Sequence, residues 1–234
     1  MNLKNKICII TGSTGGLGEE IIDKLANNQV KIIALGKNQI KLIKLKKKYK
    51  NNIIETFCCD LSNQKRILST IKNIKHKKYN IDILINCAGN FLVKDFQKIS
   101  IKEINKNINV NIIAPFLFSK EFISNMKKQK WGRIVNIGSS SSYFGFAKSV
   151  LYCSAKHALL GFSRSVNEEF KKHGVRSYIF SPGSIKTKMG KLVKNQNYQT
   201  FIDPNELSSF IISTIKQNNN MVTEEIKINR INYN

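Results

Sequence analysis

The sequence predicts an α/β protein with one doubly wound parallel sheet of about seven strands, flanked by helices on both faces. Short apolar runs alternate along the chain with segments whose apolar residues recur at helical spacing, and this alternation is typical of parallel sheets. No repeat of fixed period and no linker interrupts it, so residues 1–234 are expected to form a single domain. A hydrophobic content of 41% provides for a buried core and excludes disorder over the whole length.

The first half of the chain contains four predicted strands separated by three predicted helices. Each strand is a short apolar run of the kind that is buried on both faces of a sheet, and the four cover residues 6–11, 30–35, 53–59 and 81–86. The helices follow from apolar residues three or four positions apart, and they are expected at 17–28, from about 40 onward and at 67–74.

The second half continues the alternation and ends on a strand. A long helix is expected over about 100–128 and another over 152–172, and Pro204 begins a last helix after a polar stretch at 186–202. The remaining strands are expected at 133–138, 175–181 and 225–231, and residues 232–234 are expected to form a short tail.

The charge of the chain is its most unusual composition feature. Lys and Arg number 39 against 15 Asp and Glu, a formal net charge of +24. Specific nucleic-acid binding would require a clustered basic face with aromatic side chains for stacking, whereas these cations are spread over every predicted helix. The excess of Lys, with many Ile and Asn, indicates A/T-rich codon usage and a solvated surface.

The sequence argues against a membrane-spanning segment, a signal peptide, a disulfide framework and a metal site. The apolar runs are far shorter than the ~20 residues that span a membrane, and residues 7–10 are too few for the core of a signal peptide. The five cysteines form no C-x-x-C pair and the three histidines are scattered, so neither a disulfide framework nor a metal site is expected. We expect a cytoplasmic protein whose thiols stay reduced, with Cys8, Cys58 and Cys87 in the core.

A glycine-rich turn joins the first predicted strand to the first predicted helix. It reads Thr11-Gly12-Ser13-Thr14-Gly15-Gly16-Leu17-Gly18. Glycine lets the backbone approach a ligand closely, and the N–H groups that begin the following helix suit a pyrophosphate. Phosphate binding is therefore predicted, with a merely structural turn as the alternative, and the expected contacts are Gly12, Ser13, Thr14, Gly16, Leu17 and Gly18.

The spacing of this turn, T-G-x-x-x-G-x-G, resembles the short-chain dehydrogenase/reductase family, which uses NAD(P). At the end of the second strand, Leu35-Gly36-Lys37-Asn38 contains no carboxylate, and Lys37 follows directly. An ammonium attracts the 2′-phosphate of NADP, which a carboxylate would repel. NADP(H) is therefore favoured over NAD(H), although Lys is so abundant that Lys37 could stand there by chance.

The resemblance implies further cofactor contacts at later strand ends. Asp60, followed by Leu61, would hold the adenine amino group, with a helix cap near Ser62 as the alternative. The segment Asn86-Cys87-Ala88-Gly89 is similar to the family's N-N-A-G, with Cys87 replacing the second Asn. The segment Pro182-Gly183-Ser184-Ile185-Lys186-Thr187 is similar to P-G-x-x-x-T, which implies that the Ile185 backbone meets the nicotinamide carboxamide and that Thr187 meets the carboxamide or a phosphate.

The catalytic prediction depends on Tyr152 and Lys156. Four positions apart on a helix, they face the same side, and a nearby ammonium lowers the pKa of a phenol, which otherwise is near 10. Ser139 lies thirteen residues before Tyr152, directly after the fifth strand, where the family has the Ser that holds the substrate oxygen. By the same resemblance Lys156 holds the nicotinamide ribose beside Tyr152, and Asn111 orders a water near the Lys; a plain polar helix residue is the alternative for Asn111.

Together these motifs cover about residues 5–190, and the resemblance implies a Rossmann-type sheet of order 3-2-1-4-5-6-7 and a homodimer or homotetramer. It implies hydride transfer between NADP(H) and a carbonyl or secondary alcohol, chiefly in the reductive direction. The core is similar to 3-oxoacyl-carrier-protein reductases, and an acidic carrier would suit the basic surface near Lys127, Lys128 and Arg133. The end of the chain lacks that group's glycines. A sugar or polysaccharide-precursor enzyme, an NAD-dependent alcohol dehydrogenase and a non-catalytic nucleotide-binding relative therefore stay open.

Overall fold

In the computed structural model, which describes residues 1–193, 196–218 and 220–231, seven parallel strands form a single sheet. They are β1 Ile7–Thr11, β2 Lys31–Gly36, β3 Ile53–Cys58, β4 Ile83–Asn86, β5 Gly132–Ile137, β6 Val175–Pro182 and β7 Glu225–Ile228. Their order across the sheet is β3-β2-β1-β4-β5-β6-β7. The predicted doubly wound α/β fold and its strand order are confirmed.

Helices cover both faces of this sheet. They are α1 Gly16–Asn27, α2 Gln39–Lys48, α3 Gln64–His76, α4 Ile101–Ile108, α5 Ala114–Lys128, α6 Val150–Phe170 and α7 Pro204–Ile215. On one face, Leu25 of α1 and Ile211 of α7 pack into an apolar cluster over the strands. On the other, Ile67 of α3 and Phe118 of α5 do the same. Within the described residues, no helix has the length and apolar character needed to span a bilayer.

The long helix expected over 100–128 is interrupted by a π-helical turn, Asn109–Ile113. Pro115 lies at the start of α5 and has no N–H to offer the carbonyl of Asn111 four residues earlier, as a regular helix would require. The helix therefore forms one wider, π-helical turn with an extra residue at this point, a feature often found at functional sites. A hydrophobic pattern of period 3.6 does not reveal such a turn.

Two strands are shorter than the sequence predicts by two residues or more. β4 begins at Ile83 rather than at 81, and the side chain of Asp82 instead binds the start of β1 and the residue before it: its carboxylate accepts from the Ile7 N–H at 2.9 Å and from Lys6 Nζ at 2.8 Å. β7 ends at Ile228 rather than at 231, because the chain then turns and buries Arg230. The tail expected at 232–234 lies outside the described residues.

Arg133 is buried at the amino end of β5. Its guanidinium donates to the carbonyls of Ile215 and Gln217, at 3.2 and 3.0 Å, which end helix α7. The same group stacks on the Trp131 ring, 4.5 Å from its centre. Arg133 thus joins α7 to the sheet, on the side opposite the carboxyl ends of the strands.

Candidate active site

A cleft of about 1200 Å³ opens at the carboxyl ends of the parallel strands, where ligands bind in sheets of this kind. Its lining includes most of the residues that the sequence predicts: Gly12, Thr14, Gly16, Leu17, Gly18, Lys37, Asp60, Leu61, Ala88, Gly89, Ser139, Tyr152, Lys156, Pro182, Gly183, Ile185 and Thr187. Ser13, Asn86 and Asn111 do not line it and are buried behind its wall.

The glycine-rich turn is packed so closely that side chains are excluded from it. Gly12 has a φ of +67°, and a Cβ there would lie 2.8 Å from the backbone nitrogen of Ala88. A Cβ on Gly18 would overlap the carbonyl oxygen of Gly12. No side chain caps α1 at Gly15, and Gly16, Leu17 and Gly18 of its first turn line the cleft, where the start of a helix suits a bound phosphate.

Two lysines lie close to the end of β2, one directly after the strand and the other in the first turn of α2. Lys37 lines the cleft as expected, and Lys41, which sequence reasoning missed, lines it as well. Asn38 places them together, because its side chain caps α2 by accepting from the Lys41 N–H at 2.9 Å. The four-residue spacing from Lys37 at a helix start was the signal that could have found Lys41.

Cys58 ends β3, and Asp60 follows the strand and lines the cleft. The Asp60 carboxylate accepts from the N–H and the hydroxyl of Ser62, at 2.9 and 2.8 Å, and the backbone hydrogen bond lowers its pKa. It does not cap the next helix, since Asn63 does so. Cys58 is exposed, with Sγ 3.6 Å from the Lys37 carbonyl; the expectation that it belongs to the core is wrong, because the last residue of β3 faces solvent.

The turn after β4 forms the floor of the cleft. The Ala88 N–H donates to Thr11 Oγ1 at 3.2 Å, which ties this turn to β1. Asn86 donates to the Asn136 side chain at 2.8 Å inside the sheet, so it supports the floor from below. Cys87 lines the cleft, and burial raises the pKa of its thiol to about 12.

Tyr152, Ser139 and Lys156 meet where the floor joins the open half of the cleft. Ser139 lies beside Tyr152 and lowers the pKa of its phenol, and Lys156 Nζ lies 5.6 Å from the centre of the Tyr152 ring. The serine is held as well, because Ser139 Oγ accepts from the Ser141 N–H at 3.1 Å and the Ser139 N–H donates to Ser142 Oγ at 3.2 Å.

Burial sets the ionisation of this trio. It raises the pKa of Tyr152 to about 12, an effect that the neighbouring Ser139 side chain opposes. It lowers the pKa of Lys156 to about 8, and the ammonium donates to the Ile137 carbonyl at 2.7 Å. Near neutral pH the phenol is therefore protonated and able to donate a proton, and the amine beside it is charged.

Asn111 lies in the π-helical turn behind the floor. Its amide donates to the Asn90 carbonyl at 3.0 Å, and its Oδ1 accepts from the Asn90 N–H at 3.2 Å. Asn107 supports it by accepting a second hydrogen bond from the same amide at 3.0 Å. The structure thus places Asn111 where it fixes the segment that leads from Gly89 to the open half of the cleft.

The open half of the cleft, beside Tyr152, has mainly apolar walls. Phe91 meets Tyr152 edge to face, with ring centres 4.8 Å apart. The sequence did not single out these side chains, because apolar residues in loops form no pattern; they are Phe91, Val93, Phe146, Met189, Leu192 and Val193. Two further lysines, Lys148 and Lys188, line this half from opposite loops.

The basic surface proposed for an acidic carrier does not lie beside the cleft. Arg133 is buried and bonded to the end of α7, so it is not available to a partner. Lys127 and Lys128 end α5 directly before β5, at the amino edge of the sheet. The expectation based on these three residues is therefore wrong, since parallel strands put the cleft at the other edge.

Comparison with known proteins agrees with this geometry. Residues 6–198 match the family described as short chain dehydrogenase. The chain is 37% identical over 201 residues to the 3-oxoacyl-[acyl-carrier-protein] reductase FabG of Buchnera aphidicola subsp. Schizaphis graminum, spanning 84% of this chain and 79% of the relative. Of solved structures, 4-hydroxyisoleucine dehydrogenase complexed with NADH is 30% identical with a TM-score of 0.85 and 96% and 97% coverage. ElxO with NADP bound is 25% identical with a TM-score of 0.84 and the same coverage.

Proposed function

Since this chain belongs to the short-chain dehydrogenase family of oxidoreductases, which act on CH–OH and C=O groups with NAD(P), we propose that it is an NADPH-dependent carbonyl reductase. The observation that carries the proposal is the joined set of Ser139, Tyr152 and Lys156 at the border of the apolar half of the cleft. A non-catalytic nucleotide-binding relative would have no need of a protonated phenol and a buried cation there.

The glycine turn supports the cofactor part of the proposal. Its close packing on the β4 turn leaves room for a pyrophosphate against the uncapped start of α1. Lys37 and Lys41 stand where the adenosine ribose would lie, and two ammonium groups attract a 2′-phosphate. Asp60 and Leu61 would then border the adenine, and Ile185 and Thr187 the nicotinamide.

The trio accounts for the proton chemistry of carbonyl reduction. When bound, NADPH supplies the hydride. Ser139 donates a hydrogen bond to the carbonyl oxygen, and Tyr152 transfers its proton to that oxygen as negative charge develops. The Lys156 ammonium stabilises the phenolate that is left behind. Asn111 keeps the segment next to Gly89 in place.

The walls of the open half favour an acyl substrate over a sugar. Phe91, Phe146 and Leu192 offer few hydrogen bonds to the hydroxyls of a sugar. Lys148 and Lys188 would meet an anionic group, such as the phosphate of a carrier-linked thioester. The backbone of Lys148 is left-handed (φ +60°), and its carbonyl accepts from the Lys94 N–H at 2.7 Å. The Lys148 ammonium lies 3.4 Å from the Asp95 carboxylate. We propose a 3-oxoacyl thioester or a related keto compound.

An NAD-dependent alcohol dehydrogenase is the second candidate. The solved relative complexed with NADH, at 30% identity, favours it. The lysine pair at the end of β2 opposes it, since NAD has no 2′-phosphate for two cations to bind.

A substrate screen tests the proposal. The purified protein is mixed with NADPH or NADH and with acyl thioesters, keto sugars and simple ketones, and loss of the reduced cofactor is followed by absorbance. We expect the fastest oxidation of NADPH with a 3-oxoacyl thioester. Y152F should abolish turnover and leave NADPH binding, measured by fluorescence, nearly intact. No turnover with any carbonyl, or full activity of Y152F, would overturn the proposal.

The assembly and the location of the enzyme stay predictions. Phe116 of α5 and Phe162 of α6 form an aromatic pair, with ring centres 5.3 Å apart, and Phe116 is exposed. We propose that the chain forms a homodimer or homotetramer in the cytoplasm; sedimentation of the purified protein would distinguish these states from a monomer.

A further inference from the structure

We propose that Arg230 positions the outer wall of the cleft, which comprises the described residues between Ser184 and Phe201, and thereby sets the affinity for the carbonyl substrate. The inference rests on the proposed function, since it concerns the substrate half of the same cleft. The described contacts of Arg230 lie in this outer wall, so we assign it a positioning role.

Arg230 reaches the outer wall from the end of the chain. It lies two residues beyond β7, and only 8% of its surface is exposed. One nitrogen, Nη1, donates to Thr200 Oγ1 at 3.0 Å, and the other, Nη2, donates to Gln196 Oε1 at 2.9 Å. The guanidinium also lies over the Phe201 ring, 5.1 Å from its centre. Three residues of one loop are thus held by one side chain.

Gln196 connects Arg230 to the lining of the cleft. It lines the cleft itself, and its Oε1 accepts a second hydrogen bond from the Ser184 hydroxyl at 3.0 Å. Ser184 follows Pro182-Gly183 and precedes Ile185, and all four line the cleft where the nicotinamide would lie next to the substrate. A shift of Gln196 would therefore move a part of the outer wall that lines the cleft.

The choice of arginine over lysine is itself informative. Of the 39 cations in the chain only five are arginine, and Arg230 is one of them. A guanidinium presents several donors in a rigid plane, whereas an ammonium is a point charge on a flexible stem. Holding Gln196 and Thr200 at once while stacking on Phe201 requires the planar group.

Hydrogen exchange tests the positioning role without any substrate. In R230M we expect amide exchange to speed up in the outer wall and to stay unchanged in β5, because only the loop loses its attachment. N229A, which alters the exposed neighbour of Arg230, is the matched control and should exchange like the wild type. Equal exchange of R230M and wild type in the outer wall would overturn the proposal.

Kinetics test the effect on substrate. With the best substrate from the screen, R230M and Q196A should each raise KM for the carbonyl by about tenfold, with KM for NADPH and kcat changed much less. Because both act on the same contact, R230M/Q196A should be no worse than either single variant. R230K should not restore the wild-type KM.

The two proposals fail in different ways. Independent effects that multiply in R230M/Q196A, or full rescue by R230K, would overturn the role of Arg230 while carbonyl reduction stands. If no carbonyl is reduced, the proposed function fails, and the exchange experiment still decides whether Arg230 holds the outer wall.

Discussion

Lys156 shows how a single side chain at the site opposes the stability of the fold. It is buried, its pKa is lowered to about 8, and it has the carbonyl of Ile137 as its hydrogen-bond acceptor. A shift of this size from 10.5 corresponds to about 3 kcal/mol of destabilisation of the charged form in the native state. Such a cost is tolerated where a reaction needs the charge.

We therefore predict that K156M is inactive and more stable than the wild type at pH 7. The lysine binds its proton more weakly when folded, so its cost is fully present below about pH 8 and disappears as pH rises through the unfolded value near 10.4. Urea unfolding at several pH values would measure the free energy of unfolding. The advantage of K156M should shrink above pH 8, and a less stable K156M at pH 7 would contradict the prediction.

Lys37 and Lys41 give the cofactor preference a test at the same scale. K37D should lower the ratio of kcat/KM for NADPH to that for NADH by about tenfold or more, because it replaces attraction of the 2′-phosphate by repulsion. K41D should act in the same direction. K31D makes the same charge change at the opposite end of β2 and should leave the ratio unaltered; an equal drop in K31D would mean that overall charge sets it.

Among the elements, the strand–turn–helix unit from β1 to α1 is the one whose geometry the sequence predicts most fully. Glycine spacing alone indicates a phosphate turn, and the structure places Gly12 and Gly18 in backbone contact. The π-helical turn at Asn109–Ile113 was not predictable, because a missing hydrogen bond before Pro115 leaves no trace in the hydrophobic period. The attachment of the outer wall to Arg230 was not predictable either, since Arg230 is about thirty residues away along the chain.

The tight contact in this unit leads to a prediction. G18A should weaken NADPH binding strongly and lower the melting temperature, since its Cβ would overlap the Gly12 carbonyl and push the turn open. G161A adds the same methyl group in α6, where nothing lies within 4 Å of it, and should leave NADPH affinity unchanged. Fluorescence titration would compare the two, and wild-type affinity of G18A would refute the packing argument.

At the scale of the whole molecule, the two edges of the sheet have different tasks. The carboxyl edge holds the cleft. At the amino edge, Arg133 connects β5 to the end of α7, and Lys6 forms an ion pair with Asp82 at 2.8 Å. The sequence predicts the cleft edge because motifs mark it. It did not predict the buried role of Arg133, since one cation among 39 in the sequence carries no pattern.

A substitution at the amino edge should therefore lower the free energy of unfolding without changing cofactor binding. R133L leaves the carbonyls of Ile215 and Gln217 without their donor and should cost about 3 kcal/mol of unfolding free energy, with KM for NADPH unchanged. K128M, at the exposed end of α5, should be neutral. Urea titration would measure both, and an R133L protein as stable as the wild type would show that α7 does not depend on this contact.

The exposed thiol of Cys58 makes the cofactor end observable. Of the other cysteines in the described chain, Cys8, Cys59 and Cys153 are buried, and Cys87 is half-buried with a strongly raised pKa. A maleimide dye should therefore attach first at Cys58. The dye would sit beside the Lys37 carbonyl, at the place where a 2′-phosphate would arrive. A single labelling reaction on the unaltered protein would thus yield an optical reporter able to tell NADP from NAD without turnover.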